Sequence, residues 1–257
     1  MTEILAVERL SKRFGGLIAV NEVNFHISGN EVVGIIGPNG SGKTTLFNLL
    51  SGFFPPTGGQ IFFFGDDITR VPPYQRVMKG MVRTFQLVSV FNAMTVWENM
   101  VLSSIRFKEK HTSPGKFFFS STKNQEIQDI CMQALKLVNL ESKAMTLTSE
   151  LSYGLKRRLE IGIALSLNPK LLLLDEPLAG LSDIEISEVL DLLHRIKENF
   201  NLVIIEHKLS KIVNLVNRLC VMNEGNFICE GDPNEVLCDS SVRECYWGKG
   251  EMNQPIT

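Results

Sequence analysis

Gly37-Pro38-Asn39-Gly40-Ser41-Gly42-Lys43-Thr44-Thr45 follows the apolar run Val32-Val33-Gly34-Ile35-Ile36 and leads into Leu46-Phe47-Asn48-Leu49-Leu50. The stretch fits G-x-x-x-x-G-K-[ST]. Its surroundings predict a buried strand, a glycine loop and a helix start, which together point a nest of backbone N–H groups at an anion. Gly40 and Gly42 let the backbone approach phosphates without a Cβ in the way. In such a loop Lys43 neutralises the terminal phosphates and the Thr44 hydroxyl faces Mg²⁺. The alternative is a glycine-rich turn that opens a helix by chance, and the strand and helix on either side argue against it.

Working outward, Ile4-Leu5-Ala6-Val7 and Val23-Asn24-Phe25-His26-Ile27 read as strands, as do Ile61-Phe62-Phe63-Phe64, ended by Gly65-Asp66-Asp67, and Met81-Val82-Arg83-Thr84-Phe85, closing on Gln86. From Asn92 to about Leu167 the period turns helical. In Gln125 to Leu140 the apolar positions Ile127, Ile130, Cys131, Ala134, Leu137 and Val138 share one face. Lys108 to Asn124, rich in Lys, Ser, Thr, Pro and Gly, reads as a loop or lid. Strands return at Leu171-Leu172-Leu173-Leu174 and Leu202-Val203-Ile204-Ile205, unbroken apolar runs of the kind covered on both faces. A helix over Glu185 to Phe200 joins them, and Cys220-Val221-Met222 and Phe227-Ile228-Cys229 flank a turn as a terminal hairpin. The organisation expected is an α/β core over about 1–86 and 167–232, a helical insertion over about 87–166 and a tail over about 233–257.

With 257 residues the chain can bury a substantial core. Its 26 basic side chains against 28 acidic ones give no broad basic face, so nucleic acid is not the expected partner. No apolar run approaches the ~18–20 residues of a membrane span, and the N-terminus lacks the layout of a signal peptide, so a cytoplasmic setting is expected. Five cysteines without a C-x-x-C pair read as free thiols.

Two further stretches carry chemistry. Leu171 to Leu174 runs into Asp175-Glu176-Pro177, delivering two carboxylates at the end of a buried strand, where ligands bind in open α/β sheets. There Asp175 would hold Mg²⁺ through water and Glu176 would polarise an attacking water; the plainer alternative is a solvated acidic pair. In Leu151-Ser152-Tyr153-Gly154-Leu155-Lys156-Arg157-Arg158, Ser152 is a good N-cap, Gly154 permits close approach and a basic helix start follows. This reads as a second anion site, or simply as a well-capped helix with an exposed Lys-Arg-Arg face. The order decides: phosphate loop, Gln86, Ser152-Tyr153-Gly154, Asp175-Glu176, then His207 after an apolar strand.

This order resembles the nucleotide-binding subunit of ABC transporters over nearly the whole chain. The resemblance implies an α/β, P-loop NTPase core of the ABC type with an antiparallel β subdomain and a helical insertion subdomain. It makes Gly37, Pro38, Asn39, Gly40, Ser41, Gly42, Lys43, Thr44 and Thr45 the Walker A loop around ATP. Gln86 resembles the glutamine linking Mg²⁺ and water to the membrane partner. Ser152 and Gly154 resemble the signature motif, Asp175 and Glu176 the Walker B pair, and His207 the switch histidine at the γ-phosphate. Phe14 stands where the family stacks an aromatic on adenine. Taken alone, Phe14 also reads as a core residue and His207 as a surface cap. Thr44, Gln86 and Asp175 are the implied Mg²⁺ group; Glu176, His207 and Gln86 the implied catalytic one.

Arg13 to Val20, Val82 to Gln86, Met94 to Asn99, Arg157 to Ile161 and the ending Val242 to Gly248 are similar to the ATP-binding subunit of branched-chain amino-acid importers, and of urea and amide importers. That implies a homodimer, or a heterodimer with a related ATPase subunit, on the inner face of the membrane, with permease subunits and a periplasmic solute-binding protein. Two departures stand out: Leu155 replaces the usual Gln, and Ser182 an Asp. Leu offers no hydrogen bond across a dimer, which predicts a slower or asymmetric composite site. Competing readings are a lipid or lipopolysaccharide exporter, an ABC-type protein acting on DNA or the ribosome, and a regulatory module that hardly hydrolyses. A P-loop small-molecule kinase would not need Ser152-Tyr153-Gly154.

Overall fold

The computed structural model describes residues 3–86, 88–108 and 125–247. The chain begins with two long antiparallel strands, β1 (Glu3–Phe14) and β2 (Leu17–Ser28), and then enters the central strand β3 (Val32–Ile36). Helix α1 (Lys43–Leu50) follows the glycine loop, and β4 (Gly58–Phe63) and β5 (Asp66–Asp67) return to the first sheet. Next come α2 (Pro73–Lys79), β6 (Met81–Arg83), α3 (Val96–Lys108), α4 (Gln125–Leu137) and α5 (Tyr153–Ser166). Strand β7 (Leu171–Asp175), α6 (Asp183–Ile196), β8 (Asn201–Ile205), the short α7 (Leu209–Ile212) and the hairpin β9 (Arg218–Asn223) and β10 (Asn226–Gly231) complete the core. Helices α8 (Pro233–Cys238) and α9 (Ser240–Trp247) close the described chain.

The strands make two sheets, a four-stranded antiparallel one in the order β2-β1-β4-β5 and a six-stranded one in the order β10-β9-β3-β8-β7-β6. Within the second, β6, β7, β8, β3 and β9 run parallel and only β10 is antiparallel. The unbroken apolar runs have the meaning expected of them. Leu171, Leu173, Val203 and Ile205 face the core shared with the antiparallel sheet and α1, whereas Leu172, Leu174, Leu202 and Ile204 face the core under the helices. A period of two thus feeds two different cores, so both faces of each strand are apolar. Truncating any of these leucines to alanine would cost about 2–5 kcal/mol, because the site cannot collapse fully.

Several boundaries differ from the sequence reading, each for a local reason. The first two strands are far longer than their apolar segments, because register shifts at Val7/Leu10 and Leu10/Lys12 reset the alternation and turn polar residues outward. Asp66 and Asp67 do not end a strand; they form a short one, paired with Phe63 and Phe62 beyond a turn at Phe64 and Gly65, both at positive φ. Strand β6 stops at Arg83, although the Thr84 N–H still donates to Leu173 O at 3.0 Å. Helix α6 starts two residues earlier than Glu185 because Ser182 and Glu185 form a reciprocal capping box, and it ends at Ile196. In α4, Leu137 is exposed and Leu135 takes its place in the core. The Lys108–Asn124 stretch read as a loop lies, after its first residue, outside the described residues, as does Leu87. All five cysteines are free thiols.

Candidate functional site

Because β3, β8, β7 and β6 are parallel neighbours, their C-terminal ends lie along one edge of the sheet. The segments leaving that edge are the glycine loop after β3, Gln86 after β6, Glu176 after β7 and His207 after β8. Residues separated by up to 170 positions in the chain are brought together by this one property of the fold. They line a cleft of about 470 Å³ with Phe14, Leu17 and Ala19, within the range of small-molecule sites, about 300–1,000 Å³. A larger hollow of about 840 Å³ runs along Pro55–Gln60 and Asp67–Pro72, but it holds no phosphate loop and none of these groups.

Inside the loop, Gly40 and Gly42 have φ of 81° and 107°, and a Cβ on Gly42 would strike the Ala19 carbonyl and Met222 Cε. A side chain there is excluded both by conformation and by space. Gly42 is also the N-cap of α1, so the loop ends on the open N–H groups of a helix start. Lys43 is 5% exposed, and its Nζ donates to Gly37 O (2.8 Å), Pro38 O (2.9 Å) and Ser41 Oγ (3.2 Å). Burial lowers its pKa, opposed by the charges of Glu176 and Asp175. Thr44 and Asn39 are exposed at the mouth; Pro38 and Thr45 are half-buried.

Glu176 is the hub of the cleft. Gln86 Nε2 donates to its Oε2 at 2.8 Å, and His207 Nε2 lies 2.9 Å from its Oε1. Its backbone is left-handed (φ 48°), tied by its N–H to Ile205 O at 2.9 Å. A non-glycine residue in that region carries a conformational cost that tends to be retained at working sites. Asp175 is buried, and Arg83 Nη2 grips its Oδ2 at 2.7 Å, while Arg83 Nη1 reaches Asn48 Oδ1 (2.7 Å) on α1 and Ser51 Oγ (3.0 Å) at its C-cap. Arg83 was legible only as part of a resembling stretch. Its pairing with Asp175 spans 92 positions and leaves one carboxylate oxygen for other use.

Phe14 is 43% exposed, so it is not a core residue; it packs edge-on against Phe54 at 5.6 Å, with Lys12 Nζ 5.1 Å over its ring. Two other groups escaped the sequence reading. Glu206 is 2% exposed, accepting from Leu178 N (2.7 Å) on one oxygen and from His207 N (3.0 Å) and Lys208 N (3.4 Å) on the other. Desolvation raises its pKa, against those three bonds, and it ties the turn after Glu176 to the segment carrying His207. Its one visible signal was a carboxylate at the end of a buried strand. Arg157 and Glu160 on α5 hold the backbone before the cleft: Arg157 donates to Phe85 O (2.8 Å) and Gln86 O (2.6 Å), and Phe85 N donates to Glu160 (3.2 Å).

That last contact corrects the picture of a basic, solvent-facing helix start. Arg157 is fully buried, and Arg158 turns inward to Val138 O (2.9 Å and 2.7 Å), Asn139 O (2.8 Å) and Glu188 (3.0 Å). The guanidinium groups are spent on the interior, so the two arginines are not outward-facing anion donors; at this helix start Ser152 is exposed and Lys156 half-buried. Ser152 is the N-cap of α5 as expected, accepting from Leu155 N at 3.3 Å. Leu155 is half-buried against the helical core, where a glutamine amide would find a poorer environment.

The donor set tells what the cleft could hold. Among the described residues no cluster of three His, Cys, Asp or Glu exists to cage a metal. Mg²⁺ does not need one, since it is typically held by one or two carboxylates together with phosphate oxygens. Thr44, Asp175 and Gln86 offer the hard oxygen atoms such a complex requires, beside a loop shaped for phosphates, so the residues fit Mg²⁺ and a nucleotide.

The family model for the ABC transporter matches residues 20–179. The chain is 36% identical over 250 residues to the high-affinity branched-chain amino acid transport ATP-binding protein BraF of Pseudomonas aeruginosa, covering 96% of this chain and 98% of the relative. LivG of Escherichia coli strain K12, of the same description, matches with the same identity and coverage. Among solved structures, the ADP conformation of MJ1267, an ATP-binding cassette of an ABC transporter, superposes with a TM-score of 0.86 at 34% identity, covering 97% of this chain and all of that one. The chain belongs to the ABC transporter family. It is a nucleotide-binding ATPase of that family, homologous to branched-chain amino-acid transport ATPases.

Proposed function

We propose that this chain is the ATP-hydrolysing subunit of an importer for branched-chain amino acids, working at the cytoplasmic face of the membrane with permease subunits and, through them, a solute-binding protein. The observation that supports it most is the convergence of Gln86 and His207 on one carboxylate, Glu176, at 2.8 and 2.9 Å beside the phosphate loop. Similarity to BraF and LivG over 96% of the chain favours this solute class over urea, amides or exported lipid. No described helix is long and apolar enough to cross a membrane, so coupling would run through docked partners. We divide the chain accordingly into a core of about 1–86 and 167–232, a helical insertion of about 87–166 and a tail from about 233.

The loop from Gly37 to Thr45 holds the phosphates of ATP through its N–H groups, and Lys43 turns from its carbonyl partners to the β- and γ-oxygens. Thr44, Asp175 and Gln86 would hold Mg²⁺, which would offset charge on the phosphates when bound. Glu176 orients water for in-line attack on the γ-phosphorus, and His207 donates to the γ-phosphate. Phe14 stacks on the adenine. The protein contributes position and electrostatics, the terms that matter most for phosphoryl transfer. Ser152 and Gly154 of a second subunit cover the γ-phosphate from across a head-to-tail dimer, whose closing and opening moves the permease.

Ser152→Arg tests the last step. It sets bulk and positive charge at the mouth of the helix start, so ATP-driven dimerisation followed by size-exclusion chromatography should be abolished, with nucleotide affinity of the monomer within about twofold of the parent. A collapse of monomer affinity would assign the segment to the chain's own site and end the trans reading.

The docking surface is expected beside Gln86. Val96 is fully buried and Trp97 and Met94 are half-buried, but Phe91 is 60% exposed, and Phe53, Phe85, Met145 and Leu147 are exposed as well. Phe91→Asp should leave folding and ATP binding intact while co-purification with the permease from membranes falls at least about tenfold. Co-purification at the parent level would put the docking surface elsewhere.

A further inference from the structure

The N–H and hydroxyl groups that the proposed mechanism reserves for a second subunit's γ-phosphate are already in use. Glu185, in the first turn of α6, reaches across to the start of α5. Its Oε1 accepts from the Gly154 N–H at 2.9 Å and from the Ser152 hydroxyl at 3.1 Å. Its other oxygen accepts from Ser182 N (3.1 Å) and Ser182 Oγ (2.9 Å). The fit is close: a Cβ on Gly154 would lie 2.6 Å from the carboxylate, so glycine is needed for the contact as well as for any phosphate. Hydrogen bonds from Ser182 first, then Gly154 and Ser152, hold the carboxyl below the usual carboxylate range, so it is an anion at neutral pH.

A carboxylate on those two donors has the charge and the acceptor geometry of one edge of a phosphate. Both cannot occupy them, because the donors are shared and two anions a few ångströms apart repel. We propose that Glu185 is an intramolecular stand-in for the γ-phosphate, an autoinhibitory contact that keeps the Ser152–Gly154 end of α5 closed on its own chain until ATP held by a second subunit displaces it. This rests on the trans reading of Ser152 and Gly154 given above. The Ser182 departure acquires a reason here: its hydroxyl forms the capping box that holds Glu185 in place.

Glu185→Gln separates charge from shape. Glutamine serves a capping box as glutamate does, so α6 keeps its start, but the competing negative charge is gone. In the hydrolysis-arrested Glu176→Gln chain, sedimentation velocity with Mg-ATP should show the dimer forming at about five- to tenfold lower protein concentration when Glu185→Gln is added, the factor one unit charge is worth in a wet site. Glu185→Ala, checked for an unchanged melting profile, should shift the dimer the same way. Ser152→Arg in the same background is the control. If it abolishes the dimer while both Glu185 variants dimerise like the parent or more weakly, the trans reading stands and the autoinhibitory role is overturned. If Ser152→Arg dimerises as well as the parent, the trans reading fails and the role of Glu185 fails with it.

Discussion

Glu176→Gln should lower the turnover of ATP by about 10²-fold or more while leaving its binding nearly unchanged. The amide keeps the size of the side chain and can still accept one hydrogen bond. It cannot carry the charge that orients a water and polarises its O–H bond. In the structure the two carboxylate oxygens are divided between Gln86 and His207, and an amide can satisfy only one of those two partners as an acceptor. The loss should therefore fall on kcat, measured as steady-state phosphate release, with nucleotide affinity by calorimetry within about threefold of the parent. Because closure survives when hydrolysis fails, the same variant should accumulate an ATP-bound dimer on a sizing column. A variant that stays monomeric and hydrolyses at the parent rate would remove Glu176 from this role.

Arg76→Ala is expected to have the largest effect on stability, and it lies outside the cleft. Arg76 is 2% exposed and spends its guanidinium on backbone carbonyls: Leu49 O (2.8 Å), Leu50 O (2.6 Å), Ile68 O (2.7 Å), Thr69 O (3.1 Å) and Val71 O (2.8 Å). Two of these belong to the last turn of α1, the helix whose first turn closes the phosphate loop. The positive charge sits at the negative end of that helix and adds a donor to its last carbonyls, of which Leu49 O also accepts from Gly52 N at 3.1 Å. Burial lowers the pKa of Arg76 to about 10, still far above neutral, so the charge persists. Removing the side chain takes the donor from Leu50 O, Thr69 O and Val71 O and opens a cavity, while Leu49 O keeps the Gly52 N–H (3.1 Å) and Ile68 O the Val71 N–H (3.0 Å). The expected loss is about 3–5 kcal/mol, a fall in melting temperature of roughly 10 °C by calorimetry. Arg76→Lys, with one point charge for a planar fork, should fall between. A melting temperature within about 2 °C of the parent for Arg76→Ala would show that water replaces the guanidinium at little cost.

These two residues mark what could be read at each level. Glu176 was legible because its chemistry is local: two carboxylates after four leucines are a short-range pattern, and so are the glycine loop and the capped start at Ser152. The alternation that feeds two cores was legible too, since burial on both faces leaves an unbroken apolar run. From these the sequence by itself determined the fold class, the order of the motifs and the family to which the chain belongs. It misjudged elements where polar residues continue a strand through a bulge, as in β1, because outward-facing positions carry no hydrophobic signal.

Only the tertiary structure decided which polar groups meet. Arg76 with the end of α1, Arg83 with Asp175, Arg157 with the Gln86 backbone, Glu206 with His207 and Glu185 with Gly154 all pair groups distant in the chain or facing backbone, where any Arg or Glu in the sequence looks alike. Arg157 and Arg158 looked like a solvated basic face and proved to be interior. The physical reason is that a buried charge has to find partners wherever the packing brings them. Sequence periodicity records which side chains leave water, but not which partner each one meets when it does.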